Sequence, residues 1–224
     1  MRALGASTWR QVESFSGAVL AVPVGATEQH GPHLPLSTDT EIARALAARL
    51  AAAEPDLVVA PALSYGASGE HADFPGTLSI GAAATELVLL ELCRSAAASF
   101  PLVVLISTHG GNAGPLAAAV ELLRSEGREV RAWTPSWGGD AHAGRTETSL
   151  MLAIAPGLVR LDRAAPGNPE SIAALLPRLR QNGVRDSAPN GVLGNPAGAS
   201  AAEGERLLAT AVEELRELVV GVAA

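Results

Sequence analysis

The stretch 102-LVVLISTHGGNAGPLAAAVELLRSEG-127 decides the fold. It opens on a near-continuous apolar run rich in β-branched residues, the pattern of a strand buried on both faces. It closes with Leu, Ala and Val at helical spacing. Pro115 suits a first helical position there, and Gly127 suits a helix stop. A strand that passes through a short polar turn straight into a helix is half of a βαβ unit. The same rhythm repeats outward from it. Further runs lie at 19-VLAVPV-24, 57-LVVAP-61 and 129-EVRAW-133, alternating with helical stretches at 40-TEIARALAARLAAA-53 and 83-AATELVLLELCRSAAAS-99. In 40–53, Ile42, Ala45, Leu46 and Leu50 fall on one face, with Arg44 and Arg49 outside it. Two more helices are expected near 147-ETSLMLAI-154 and at 201-AAEGERLLATAVEELRELVVG-221. This order predicts an α/β protein, a three-layer αβα arrangement with a mainly parallel sheet. Residues 162–199 break the rhythm. They are rich in Pro, Gly and Asn, with one helix near 170-ESIAALLPRL-179, and read as an insertion or lid within a single domain spanning 1–224.

Composition agrees with a packed core and narrows the function. Of 224 residues, 48% are hydrophobic and 17% charged, which is globular, not disordered. Aromatics make up only 3%, so the core rests on Ala, Val, Leu and Ile, which bury less area each. Burial between subunits is therefore expected to add stability, and a homo-oligomer follows. The net charge of −7 argues against a nucleic-acid partner. The single cysteine, Cys93, excludes an intramolecular disulfide and any multi-cysteine zinc site. The most apolar region, 84–107, is interrupted by Glu86, Glu91, Arg94 and Pro101, so no bilayer span is expected. The start of the chain lacks a basic segment followed by an apolar run, so a cytoplasmic protein is expected.

All five histidines follow strand ends. His30 and His33 come after the first run, His71 after the second, His109 after the third and His142 after the fourth. None is expected inside a strand or helix. In an open parallel sheet these carboxyl ends form one edge, where ligands bind. Carboxylates accompany the imidazoles. Glu28 and His30 are two apart and share a side in an extended segment. The irregular 31-GPHLPLS-37 can fold Asp39 back toward them, although Asp39 also suits an N-cap for the helix that follows. In 107-STHGGNAGP-115, His109 stands at a strand tip while Gly110 and Gly111 let a ligand approach the backbone. Asp140, His142 and Glu147 precede an apolar helix, with Thr146 and Ser149 as alternative caps. Asp, Glu and His without Cys suit one or two divalent ions such as Zn, Mn or Fe(II). Such ions activate water and polarise carbonyls, so the residues alone point to a metal-dependent hydrolase.

Four ordered blocks carry a resemblance: 24-VGATEQHGPHLPLSTD-39, 65-YGASGEHADFPGTLSI-80, 108-THGGN-112 and 142-HAGRTETSLML-152. Together they resemble the creatininase (creatinine amidohydrolase) family. The resemblance implies an αβα fold, often hexameric, with one or two ions of Zn, Mn or Fe and hydrolysis of a non-standard amide. It implies Glu28, His30, Asp39 and His109 as metal ligands, with Asp39 bridging where two ions bind. Glu147 becomes a further ligand or the general base, and His142 the donor to the leaving amine or the oxyanion. His71 and Tyr65, with the turn Gly110, Gly111 and Asn112, would border the substrate, His33 being the least engaged histidine. Two positions depart from the creatinine-hydrolysing branch, which has glutamates where this chain has Gly111 and Ala141, and this argues against creatinine as substrate. The blocks 65–71, 140–149 and 191-GVLGNPAGASAAEGERLL-208 are similar to the mycofactocin-system branch. That likeness implies a peptidase releasing a modified C-terminal Val-Tyr dipeptide from a ribosomally made precursor peptide. The alternatives are a small-amide hydrolase or deformylase, and a silent metal-binding subunit that holds a partner enzyme.

Overall fold

Each apolar run read from the sequence is a strand in the computed structural model, which describes residues 1–219. These are β2 (Val19–Val24), β3 (Leu57–Val59), β4 (Leu102–Ser107) and β5 (Val130–Trp133), joined by a two-residue edge strand, β1 (Arg2–Ala3), that the sequence did not announce. The order is β1-β3-β2-β4-β5, and every pairing is parallel. The longest register is central, from Val19 opposite Leu102 to Val24 opposite Ser107.

The helices are α1 (Trp9–Glu13), α2 (Thr38–Ala53), α3 (Ala82–Ala96), α4 (Ala113–Ser125), α5 (Arg145–Ile154), α6 (Ile172–Ser187) and α7 (Ala201–Val219). Strand alternation sorts them into layers. Ala21, Leu57, Leu102, Val104 and Ile106 face α2, α5 and α7. Leu20, Val22, Val58, Val103, Leu105 and Val130 face α3 and α4. The αβα sandwich follows directly from that period of two. Ile42, Leu46 and Leu50 of α2 point into the first layer, fully enclosed, each contributing roughly 1.5–3 kcal/mol of burial. On its outer side Arg49 pairs with Glu205 of α7 through bonds of 2.7 and 2.9 Å.

Several boundaries differ from expectation. α4 begins at Ala113, behind a 3-10 turn over Gly110–Asn112, so Pro115 occupies the third helical position. The first-turn amides have no intrahelical acceptor, so proline costs nothing there. Gly127, at φ +76°, ends that helix in a Schellman motif: its N–H donates to Arg124 O at 2.9 Å and Arg128 N–H to Leu123 O at 3.0 Å. The helix expected near 170–179 runs on to Ser187 with a break at Gly183, whose φ of 76° leaves helical geometry. α1 was not foreseen. The expected end of α7 at residues 220 and 221 lies outside the described residues. Among the described residues no helix is long and apolar enough to cross a membrane.

Candidate metal centre

The loop after β2 is folded tightly against the start of α2. Gly25 lies so close to Thr40 that a Cβ there would meet Thr40 Cα at 2.5 Å. Only glycine permits that approach. The loop 31–37 then doubles back, Glu28 N–H donating to Leu36 O at 3.0 Å. Asp39 thereby arrives beside Glu28 and His30. It is not the N-cap; Ser37 holds that position, and Asp39 stands inside the first turn. Thr108, at the tip of β4, fixes it by donating to Asp39 O at 2.7 Å.

The four ligands expected from the sequence converge. His30 Nε2 is 3.5 Å from Asp39 Oδ1, and His109 Nδ1 is 3.6 Å from Asp39 Oδ2. His109 Nε2 is 3.2 Å from Glu28 Oε2. Glu147, in the first turn of α5, joins with Oε2 3.9 Å from His30 Nε2. Three triads have donor atoms within 4.8 Å of one another: Glu28–Asp39–His109, His30–Asp39–Glu147 and Glu28–His30–His142. Asp39 is shared between the first two, one oxygen turned to each histidine. Glu28 is entirely enclosed, yet both its oxygens lack a hydrogen-bond partner, as do His30 Nε2 and Asp39 Oδ2. Buried carboxylate oxygens left so are costly unless a cation answers them. The donor set, all nitrogen and oxygen, fits a divalent metal.

The electrostatics say the same. Burial alone would raise Glu28, but the charge of His109, with those of His71 and His30, holds it well below the usual carboxylate range. Burial would lower His30 and His109; against it, Asp39 lifts the first to about 10 and Glu28 lifts the second to about 10. Carboxylates that pull protons onto two enclosed imidazoles create a place for positive charge. Burial raises Glu147 to about 7 despite the nearby His30, with Asp39 adding to the rise.

Around this core stand residues of varied commitment. His71 ends a 3-10 turn (Gly69–His71), not an open loop, and its Nε2 lies 3.4 Å from Glu28 Oε1. His142 Nδ1 approaches the same oxygen at 3.8 Å. Burial lowers His71 to about 4 and, with His30 and His71, pushes His142 well below its ordinary value. His33 bonds Thr148 Oγ1 at 2.9 Å and belongs to none of the triads. Asn112 is spent on bracing: its Oδ1 accepts from Ala67 N–H at 3.0 Å and its Nδ2 donates to Gly25 O at 3.1 Å. Tyr65 is half exposed. Gly110 is open on its Cβ side, whereas a Cβ on Gly111 would meet His109 Nε2 at 2.5 Å and Glu70 Oε1 at 2.7 Å.

Two residues were missed in the sequence. Glu70 directs Oε1 to within 3.8 Å of His109 Nε2. Gln29 is buried between His71, His142 and Gly191. Their signal was adjacency, Glu70 before His71 and Gln29 between Glu28 and His30.

The chain matches the Creatininase family model, described as creatinine amidohydrolase, over residues 5–219. It is 53% identical over 216 residues to a mycofactocin precursor peptide peptidase of Mycolicibacterium smegmatis, covering 93% of this chain and 87% of that one. Among solved structures, a creatininase variant in a Zn–Zn form superposes with a TM-score of 0.81 at 27% identity, covering 97% of this chain and 96% of that one. A manganese form of creatininase gives 0.80 at 27% identity, with the same coverage of 97% and 96%.

Proposed function

The chain belongs to the creatininase family of amide-bond hydrolases, and from that premise we propose that it is a metal-dependent peptidase releasing the modified C-terminal Val-Tyr dipeptide from a mycofactocin precursor peptide. The likeness to the Mycolicibacterium smegmatis peptidase across nearly the whole chain carries this reading. We assign Glu28, Asp39 and His109 to one divalent ion and His30, Asp39 and Glu147 to a second, with Asp39 bridging; the triads of donor atoms support this. Zn, Mn or Fe(II) would there lower the pKa of water toward ~7 and polarise the scissile carbonyl. His142 carries a proton to the leaving amine. His71, Tyr65 and the backbone of Gly110 and Gly111 border the peptide. The working form we assign is a homo-oligomer, a hexamer as the family likeness implies, supported by the exposed apolar residues Trp9, Leu87 and Val88.

The test is to incubate metal-loaded protein with the modified precursor and follow products by mass spectrometry. Release of the dipeptide, abolished by a chelator and restored by metal, is expected. Turnover of a small formamide or cyclic amide with no cleavage of the peptide would replace this reading by the small-amide one. A metal-loaded protein inert to all of them, yet binding a maturation enzyme, would make it a silent subunit.

A further inference from the structure

Gln29 has both ends of its amide pinned by backbone. Its Oε1 accepts from Gly31 N–H at 2.9 Å, and its Nε2 donates to Gly191 O at 3.1 Å. These two bonds fix which end is oxygen and which is nitrogen. The NH2 group has one hydrogen left, and it points at His71 Nδ1, 2.8 Å away. His71 Nδ1 must therefore be the acceptor, and the ring proton sits on Nε2, the atom facing Glu28 Oε1 at 3.4 Å. His142 is governed by the main chain of the same residue. Its Nε2 lies 2.8 Å from Gln29 O, a distance at which two lone pairs would repel, so this nitrogen carries the proton. Its other nitrogen, Nδ1, then presents a lone pair to Glu28 Oε1 at 3.8 Å. The 3.1 Å approach of Gln29 Nε2 to His142 Nε2 is a contact between two donors, since both amide hydrogens are already used.

We infer that Gln29 is a positioning residue that sets opposite faces on two neighbouring imidazoles, His71 offering an N–H and His142 a lone pair to one point of the site. The ring centroids are 4.5 Å apart, and the two atoms converge beside Glu28 Oε1, His71 Nε2 at 3.4 Å from it and His142 Nδ1 at 3.8 Å. Amide hydrolysis, the reaction proposed above and the premise of this inference, needs such a pair. As water adds to the carbonyl carbon, the C–O bond forms and the carbonyl oxygen gains charge; His71 Nε2–H donates to that oxygen. His142 Nδ1 takes a proton from the water, and its Nε2–H bond to Gln29 O strengthens as the ring becomes charged. The C–N bond then breaks, and the proton passes from Nδ1 to the departing nitrogen. Acid and amine leave, and both rings regain their starting tautomers. The geometry also ties the segment 162–199 to the site, because Gly191 belongs to that segment. At φ +76°, and with Gln29 Oε1 crowding the place where a Cβ would stand, Gly191 tolerates no side chain.

Nitrogen-15 spectra of histidine-labelled, zinc-loaded protein test this, because protonated and unprotonated ring nitrogens resonate far apart. His71→Gln and His142→Gln serve to assign the signals. Both His71 and His142 should carry their proton on Nε2; a proton on Nδ1 of either ring overturns the inference. Gln29→Met keeps the length but removes the amide. It should give His71 a mixture of tautomers and lower kcat by roughly 10- to 100-fold with little change in KM. A single unchanged tautomer, or an unchanged kcat, overturns it. The wild-type spectrum decides the tautomers even if Gln29→Met does not fold. Should the precursor peptide not be cleaved at all, the proposed function fails while the spectra still judge Gln29.

Discussion

Asp39 is an acid in the first turn of a helix, where a carboxylate ordinarily caps amides or steadies the helix dipole. Its side chain caps nothing and spans His30 and His109 instead. Asp39→Ala should therefore abolish bound metal and turnover together, and elemental analysis at wild-type stoichiometry would contradict the bridging assignment. The two imidazoles it contacts make a second prediction. His30 and His109 are raised from 6.5 to about 10 in the metal-free fold. A raised histidine adds stability that is full below pH 6.5 and disappears as pH climbs through 10. Metal competes for the same nitrogens, so over that window each displaced proton should raise apparent affinity about tenfold per pH unit. Calorimetry in buffers of differing ionisation heat counts those protons, and none released would refute the competition. Cys93, fully buried in α3 with its thiol pushed up to about 11 by burial, takes no part. Cys93→Ala should leave kcat/KM unchanged, and a lost rate in a folded variant would show otherwise.

At the scale of elements, α5 is held by an unusually close crossing with α7. A Cβ at Gly204 would strike Ser149 O and lie 2.9 Å from Ala153 Cβ. Gly204→Ala should lower stability by about 1–3 kcal/mol, seen as an earlier denaturation midpoint, and an unshifted midpoint would mean the helices part freely. Because Glu147 rides on α5, metal should also be held less firmly in that variant. The elements themselves were largely readable. Fully buried parallel strands announce themselves as continuous apolar runs, and their ends predict where side chains gather; this is why His30, His71, His109 and His142 could be grouped unseen. What escaped was set by contacts distant in sequence. The two residues of β1 pair with β3 and have no pattern of their own. Asp39 suits a cap as well as a ligand in the sequence, and only the fold shows that Ser37 takes the cap and leaves Asp39 to the site. Asn112 read as a substrate contact, whereas Ala67 and Gly25 claim it from far along the chain. Gln29 was passed over because an amide between two ligands shows its use only once Gly191 closes over it.

For the molecule as a whole, a core poor in aromatics leaves some apolar surface uncovered. Trp9, Leu78, Leu87 and Leu161 are more than half exposed, with relative exposures of 64%, 55%, 57% and 53%. Light scattering should return the mass of several chains, and the mass of one chain would remove the oligomer from the proposal. The donors of the site come from residues as far apart as Glu28 and Glu147; Glu28, His30 and Asp39 share one short stretch, but His109 and Glu147 join them only when the sheet and α5 are assembled. Neither triad assigned to an ion is complete in any short fragment of the nascent polypeptide. Ion capture must wait until synthesis and folding are over, so the choice of metal falls to whatever the surroundings offer a finished vessel.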